Sequence, residues 1–231
     1  MLRMLLCLTL ASVTVACGSA NGTRRSISET TSQTANSSGS STSGFHSLTG
    51  WQKTVPFYIS SQASDEVVEA AQNAAATWGD AVGQVALKFA GIGTSTRGKD
   101  LYASLDDNKT FVYYEDNWTT TTGKSTTTLA TTVWENATDS DRIVSGDVIL
   151  NSQTYTFLDA LKTIPKGVNE TRVVDAETVL LHEFGHLLGL DHISESTDSD
   201  SIMHAKTFIG PGLSFRTLSD GDTSNIKKLY P

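Results

Sequence analysis

The sequence has few cysteines and no cluster of basic residues. Only Cys7 and Cys17 occur among 231 residues, so a small domain stapled by several disulfides is excluded. Lys and Arg number 17 against 25 Asp and Glu, and the net charge of −8 gives no electrostatic footprint for a nucleic-acid partner. No apolar run reaches the roughly 18 to 20 residues that span a bilayer. A chain of this length is expected to form one domain, with or without extensions.

Residues 1–16 have the composition of an export signal. Arg3 gives a positive start, and residues 5–13 form an apolar stretch of the length usual for a signal peptide. Small residues then precede Cys17, which resembles a bacterial lipoprotein signal, although Thr14 stands where Leu is usual. The resemblance implies a lipid on Cys17 and, because Gly18 rather than Asp follows it, a place in the outer membrane. The alternative is an ordinary secretory signal that is cut near Cys17.

The lipidated cysteine and the segment behind it, residues 17–44, are predicted to form a tether. Nine Ser, five Thr, four Gly and two Asn fall within residues 18–44. Such a segment buries too little apolar surface to offset its chain entropy, so a disordered linker is expected. The folded domain is expected to cover residues 45–231, which is long enough for one hydrophobic core.

The pattern of apolar residues predicts an α+β fold. Strands are expected at residues 55–60, 85–89, 101–104, 110–114, 127–134 and 143–151. Helices are expected at about residues 65–79, 175–189 and 219–229, with Ser64, Asp175 and Ser219 as their N-caps. Early strands with one helix among them, followed by a helical end, are typical of an α+β domain.

The clearest chemistry lies in a short histidine-rich segment. His182 and His186 are four residues apart, so on a helix they project from one face and reach one metal ion. Gly189 can end that helix with a positive φ, after which His192 supplies a third nitrogen. Three protein ligands leave one tetrahedral position open, which is the pattern of a catalytic zinc site. Glu183 is then placed to act as general base and later general acid on a zinc-activated water.

This pattern, H-E-x-x-H-x-x-G-x-x-H, resembles that of the metzincin clan of zinc endopeptidases. Ser201-Ile202-Met203 follows and is similar to the Met-turn of the clan, so the resemblance gives Met203 the role of packing below the zinc ligands. It implies a metzincin-type domain with a twisted mixed β-sheet, long helices, an active-site helix and a Met-turn. It also implies one catalytic zinc and hydrolysis of internal peptide bonds of proteins.

Within the clan, the chain is most similar to bacterial matrixins. Residues 51–89, 144–151 and 216–231 resemble the first elements, an inner strand and the last helix of that family. Ile193 departs from the usual Ser, and Met203-His204 is an astacin-like feature. The resemblance implies a protein or peptide substrate that binds extended along an edge strand at Thr127 to Trp134. We expect a monomer.

Two questions remain open from the sequence. The oxygen-rich loops Glu135 to Asp141 and Asp198 to Asp200 suit calcium, or they are ordinary solvated turns.

The chain is expected to be an exported enzyme of the bacterial cell surface or outer membrane, or otherwise secreted. The alternative is a catalytically retired metzincin scaffold that acts as a tethered surface binding protein. A retired enzyme would be free to lose Glu183 or a histidine, and none is lost.

Overall fold

The computed structural model describes residues 13–14, 21–22, 50–84, 86–94, 105, 109–138, 140 and 142–231. The strands are β1 (Val13–Thr14), β2 (Asn21–Gly22), β3 (Val55–Ser60), β4 (Leu87–Gly93), β5 (Thr110–Glu115), β6 (Ala130–Asn136), β7 (Ile143–Asn151), β8 (Thr156–Leu158), β9 (Val173–Asp175) and β10 (Lys206–Thr207). The helices are α1 (Asp65–Val82), α2 (Trp118–Thr122), α3 (Ala176–Leu187) and α4 (Asp220–Leu229), with a 3₁₀ turn at Glu170–Arg172.

A mixed sheet in the order β2-β6-β7-β5-β3-β4 runs through the centre of the domain. β6 pairs antiparallel with β7, and the other neighbouring strands are parallel. β3 tolerates Pro56 because this residue pairs with β4 only, the pairing with β5 beginning at Phe57. β2 pairs with β6 only at Trp134 and Glu135, so the described residues place no strand beside Ala130 to Val133 on that edge.

Helices α1 and α3 pack together over one face of the sheet. The apolar face of α1 is buried, and its residues are Val67, Ala70, Ala71, Ala74, Ala75 and Trp78. Its small alanines let α3 approach closely, and the indole nitrogen of Trp78 donates to the carbonyl of Leu181 at 2.8 Å. The segment that carries His182 and His186 is therefore held by the main core of the domain.

A smaller apolar cluster lies apart from this main core. Its buried members are Leu105, Phe111, Tyr113, Trp118, Val133 and Ile149. The helix α2 in this region was not predicted, and β6 begins at Ala130 rather than at residue 127. Trp118 is fully buried and donates to the carbonyl of Ser125 at 3.0 Å. Packing of this tryptophan thus overrides the strand preference of the threonines that follow it.

The α+β prediction is confirmed, and Ser64, Asp175 and Ser219 all lie at the predicted N-cap positions, although the side chain of Ser64 makes no capping hydrogen bond. Asp175 accepts from the backbone N–H of Thr178, and Ser219 forms a reciprocal capping box with Asp222 at the start of α4. The predicted strand at 101–104 lies outside the described residues. The same holds for the predicted signal peptide and tether, apart from residues 13–14 and 21–22. Within the described part of the chain, no helix combines the length and apolarity needed to cross a membrane.

Candidate functional site

Helix α3 carries the first two histidines and the glutamate into the interior of the domain. All but one of its residues are buried, because α1, the sheet and the segment after α3 cover it on several sides. His182 and His186 are 4% and 2% exposed, and Glu183 is 0% exposed. The two imidazoles project from one face of the helix, as their spacing predicts.

The chain turns back at Gly189 and brings the third histidine to the other two. Gly189 has a φ of 110°, which favours glycine, and the backbone N–H of Leu190 donates to the carbonyl of Gly185 at 3.0 Å. The Nε2 atom of His186 then lies 3.1 Å from the Nε2 atoms of both His182 and His192. Four tetrahedral ligands at about 2.0–2.1 Å from zinc are themselves roughly 3.3 Å apart, so this spacing fits the metal.

Backbone carbonyls orient two of the three imidazole rings. Nδ1 of His182 donates to the carbonyl of Ile202 at 2.8 Å, and Nδ1 of His186 donates to the carbonyl of Leu190 at 2.7 Å. A carbonyl can only accept, so the proton sits on Nδ1 and the lone pair of Nε2 faces the common centre. Partners of this kind fix the ring tautomer in metal sites. Among the described residues, these three histidines form the one cluster suited to hold a metal ion.

Burial keeps His182 and His192 neutral and therefore able to bind a metal. It lowers the pKa of His182 to about 3, helped by the neighbouring His192, while the hydrogen bond to Ile202 opposes this shift. Burial also lowers the pKa of His192, against the opposing charge of Asp191. A neutral imidazole offers the nitrogen lone pair that zinc requires.

The turn at Ser201 to Met203 lies directly against the histidine helix. The hydroxyl of Ser201 donates to Asp222 of α4, and the carboxylate of Asp222 also accepts from the backbone N–H of Ile202 at 2.9 Å. Met203 is fully buried. A side chain on Gly185 would collide with the sulfur of Met203, so this glycine permits the close approach of the turn to α3.

Glu183 lies next to His182, and Thr132 of the neighbouring strand β6 contacts its carboxylate. The hydroxyl of Thr132 in β6 lies 2.6 Å from Oε2 of Glu183 and 3.1 Å from its backbone carbonyl. Both side chains are almost completely shielded from solvent. The strand predicted to bind substrate therefore also contacts the predicted general base.

The C-terminal end of α3 is tied to both ends of the 50–231 segment. The indole nitrogen of Trp51 donates to the carbonyl of Leu187 at 2.7 Å, and the hydroxyl of Tyr230 donates to the carbonyl of Leu188 at 2.9 Å. The backbone N–H of Trp51 in turn donates to Tyr230 at 3.0 Å. Carbonyls at the end of a helix lack intrahelical partners, so these contacts satisfy and position that end.

A cavity of about 530 Å³ opens beside His182. Val179 and Ile202 form part of its apolar wall, and His204 lines it as well. Two partly exposed rings at its lining, Phe208 and Phe215, lie 6.3 Å apart between centroids. The cavity is large enough for a bulky side chain of a peptide placed across the histidine cluster.

The structure brings together every residue that the sequence singled out for the site. His182, His186 and His192 converge, Glu183 adjoins them, and Met203 packs against the same helix. Sequence reasoning missed the residues that position this group, namely Thr132, Trp51, Tyr230 and Asp222. No local motif indicates these contacts, since each joins residues that are far apart along the chain.

Of the two candidate calcium loops, the structure describes the second, Asp198 to Asp200, in full. In the second loop, one carboxylate oxygen of Asp198 accepts from Ser219 at 2.6 Å and the other from the backbone N–H of Asp200 at 3.2 Å. In the first loop, Asp139 and Asp141 lie outside the described residues. Calcium binding stays a prediction.

Comparison with known proteins identifies the family. The Matrixin family of peptidases matches residues 50–231, which covers the histidine cluster and the elements that hold it. No curated protein sequence matches the chain. Among solved structures, the chain is similar to high choriolytic enzyme 1, a hatching enzyme zinc-protease from the medaka fish Oryzias latipes. The identity is 16%, the TM-score is 0.36, and the match covers 78% of this chain and 94% of that one. With a family match over most of its length, the chain belongs to the matrixins and has the α+β metzincin fold of these zinc metalloproteases.

Proposed function

We propose that this protein is a zinc-dependent endopeptidase that hydrolyses internal peptide bonds of proteins. The observation that carries the proposal is the convergence of three Nε2 atoms, 3.1 Å from His186 to each of its partners, beside the buried carboxylate of Glu183. His182, His186 and His192 would hold one zinc ion. When bound, zinc polarises the substrate carbonyl and lowers the pKa of water to about 7.

The residues of the chain supply the remaining steps. Glu183 takes a proton from the attacking water and later delivers it to the leaving amine, so one carboxylate serves as base and then as acid. Its burial keeps competing water away from the proton it carries. The carbonyls of Ile202 and Leu190 keep the proton of each imidazole on Nδ1, so Nε2 stays available to the metal.

The substrate would bind as an extended strand along the outer edge of β6. This edge has no described strand next to Ala130 to Val133, and backbone hydrogen bonding there would hold any sequence in register. The cavity beside His182 would take one substrate side chain. A peptide held in this way can continue past the histidines in both directions, which suits internal rather than terminal bonds.

The cell-surface location belongs to the same proposal. The apolar segment before Cys17 and the polar segment 18–44 support a lipid-anchored, tethered enzyme of the bacterial surface or outer membrane. Secretion without a lipid is the alternative. We further propose that the enzyme acts as a monomer.

A turnover assay tests the proposal. We expect the purified protein to cleave a denatured protein at internal bonds, to lose this activity with a chelator, and to regain it with zinc. Glu183→Gln keeps the shape of the side chain and removes its basicity, so we expect the variant to stay folded with about 10²- to 10⁴-fold less turnover.

A zinc-loaded wild type without turnover on denatured proteins and peptide mixtures would contradict the proposal. It would favour the alternative function of a tethered surface binding protein on a retired scaffold. Near-normal turnover of Glu183→Gln would instead show that another residue is the base.

A further inference from the structure

The contact between Thr132 and Glu183 joins a strand to the active-site helix within the core of the domain. The hydroxyl of Thr132 lies 2.6 Å from Oε2 of Glu183, and the two side chains are 1% and 0% exposed. A carboxylate can only accept, so the hydroxyl donates. Hydrogen bonds to an ionised acceptor are stronger than neutral ones, and a dry environment strengthens them further.

The two side chains differ in how freely they rotate. Threonine is branched at Cβ, so its χ1 angle is stiff and its hydroxyl oxygen is held in one position. The terminal torsion of glutamate has a broad energy minimum, so its carboxylate rotates easily unless something holds it. A hydrogen bond to Oε2 restricts this rotation.

The position of Thr132 in the sheet explains why it can hold the helix residue. Thr132 pairs with Val148 of β7 in the antiparallel register, which fixes its height relative to α3. Its neighbour Val133 packs in the smaller apolar cluster with Trp118, and successive strand residues point to opposite faces, so Thr132 faces α3. β6 is thereby anchored to the rest of the sheet while its hydroxyl contacts the base.

We propose that Thr132 is the positioning residue of the general base, and that its hydroxyl holds the Glu183 carboxylate in the orientation that proton transfer needs. This inference rests on the proposed function. The same residue lies on the strand proposed to receive the substrate. It therefore sets the distance between the scissile bond and the base, and misplacement of a catalytic group by about 1 Å costs on the order of 10²-fold in rate.

Two substitutions in the full-length protein separate positioning from simple packing. Thr132→Val has nearly the same shape but no hydroxyl, and Thr132→Ser keeps the hydroxyl but removes the methyl group. We expect Thr132→Val to lower kcat by about 10- to 10²-fold with KM and zinc content unchanged. We expect Thr132→Ser to keep kcat within about threefold of wild type, since the donor is still present.

Two kinetic results would overturn the proposal. One is a kcat for Thr132→Val within about twofold of wild type. The other is a loss in Thr132→Val that Thr132→Ser shares, or that comes with lost zinc, because this would make the role of Thr132 structural. A change in KM alone would likewise place its effect in substrate binding and not on the base.

A measurement without turnover distinguishes failure of this inference from failure of the proposed function. Denaturant unfolding of wild type, Thr132→Val, Glu183→Ala and the double variant gives the coupling between the two side chains. Clear favourable coupling supports the contact, and coupling near zero overturns it. A zinc-loaded wild type that shows the coupling but no turnover would overturn the proposed function, and with it a role for Thr132 in catalysis.

Discussion

At the scale of single residues, the packing of the Met-turn against the histidine helix depends on Gly185. Gly185 lies between His182 and His186 along the helix, and a Cβ there would collide with the sulfur of Met203 and come 3.0 Å from Cζ2 of Trp78. Both neighbours are fully buried, so neither can easily move away. Glycine lowers the helical propensity of α3 at this position, but it allows the Met-turn to pack closely against the helix.

Gly185→Ala tests this packing. Alanine would stabilise a helix by about 0.8–1 kcal/mol, whereas overpacking of a core destabilises by about 1–3 kcal/mol. Because the site is buried on both sides, we expect the second effect to win and the free energy of unfolding to fall, as measured by urea denaturation. Met203→Ala removes the sulfur that the new methyl group would meet. The double variant is therefore expected to lose less unfolding free energy than the sum of the two single variants. A variant more stable than wild type would contradict the account.

At the scale of elements, the ends of α3 are held by distant parts of the chain. Arg216 donates to Asp175, the N-cap of α3, and to Asp159, and it also lies 3.4 Å from Glu177. Beside it, the backbone N–H of Phe215 donates to the hydroxyl of Thr178 at 2.7 Å. The segment that lines the cavity is thus bound to the start of the active-site helix.

Arg216→Met removes this link and leaves the buried carboxylate of Asp175 without its cation. Loss of one partner of a buried pair costs about 3–5 kcal/mol. Arg216 keeps 22% side-chain exposure, so we expect the smaller loss of about 2–3 kcal/mol in urea unfolding at pH 7. Arg172→Met is the matched control, because Arg172 is exposed and its guanidinium donates to the backbone carbonyl of Thr154 and not to a buried carboxylate, so we expect little change.

The effect of Arg216→Met also has a predicted pH dependence. Burial alone would raise the pKa of Asp159, but the hydrogen bond and charge of Arg216 hold it below its usual value of 3.8, with help from Leu161 and Lys162. A carboxyl with a depressed folded pKa stabilises the protein above its unfolded pKa, and this stability is lost as the pH falls through the folded value. The difference in the free energy of unfolding between wild type and Arg216→Met is therefore expected to become smaller below about pH 4. A difference in unfolding free energy that increases at acidic pH would contradict this account.

The sequence predicted elements whose causes are local, and it missed those whose causes are distant. The caps at Asp175 and Ser219 follow from residues within the next turn, and the histidine spacing follows from the helix itself. The contact of Thr132 with Glu183 spans 51 positions, and that of Arg216 with Asp175 spans 41. Neither can be read from a local pattern. Helix α2 was missed because Trp118, rather than the threonines after it, decides the local structure.

At the scale of the whole molecule, a domain of the matrixin family follows a polar segment and a segment that we predict to be an export signal. The family match starts at residue 50, close to the domain boundary predicted at residue 45. Trp51 at this start contacts both the end of α3 and Tyr230. The point at which a tether would enter the domain is thus fixed next to the active-site helix.

Cys17→Ser tests the proposed anchor. We expect wild-type protein in the membrane fraction after export, since acyl chains buried in lipid contribute about 0.8 kcal/mol per CH₂ group. The serine variant has no thiol to acylate, so we expect it either in the soluble fraction or with its signal uncleaved. Cys7→Ser is the control, because that cysteine lies within the predicted signal and is expected to leave anchoring unchanged. Wild-type protein found wholly soluble after export would favour simple secretion.

The central claim is that His182, His186 and His192 together hold one zinc ion, and metal analysis of the purified protein tests it most directly. We predict about one zinc per chain in wild type and a large loss of zinc in His186→Ala, because Nε2 of His186 contacts both of the other histidines. His204→Ala, which alters the neighbouring cavity without touching the three ligands, is predicted to keep its zinc. A His186→Ala variant as fully loaded with zinc as wild type would contradict the claim.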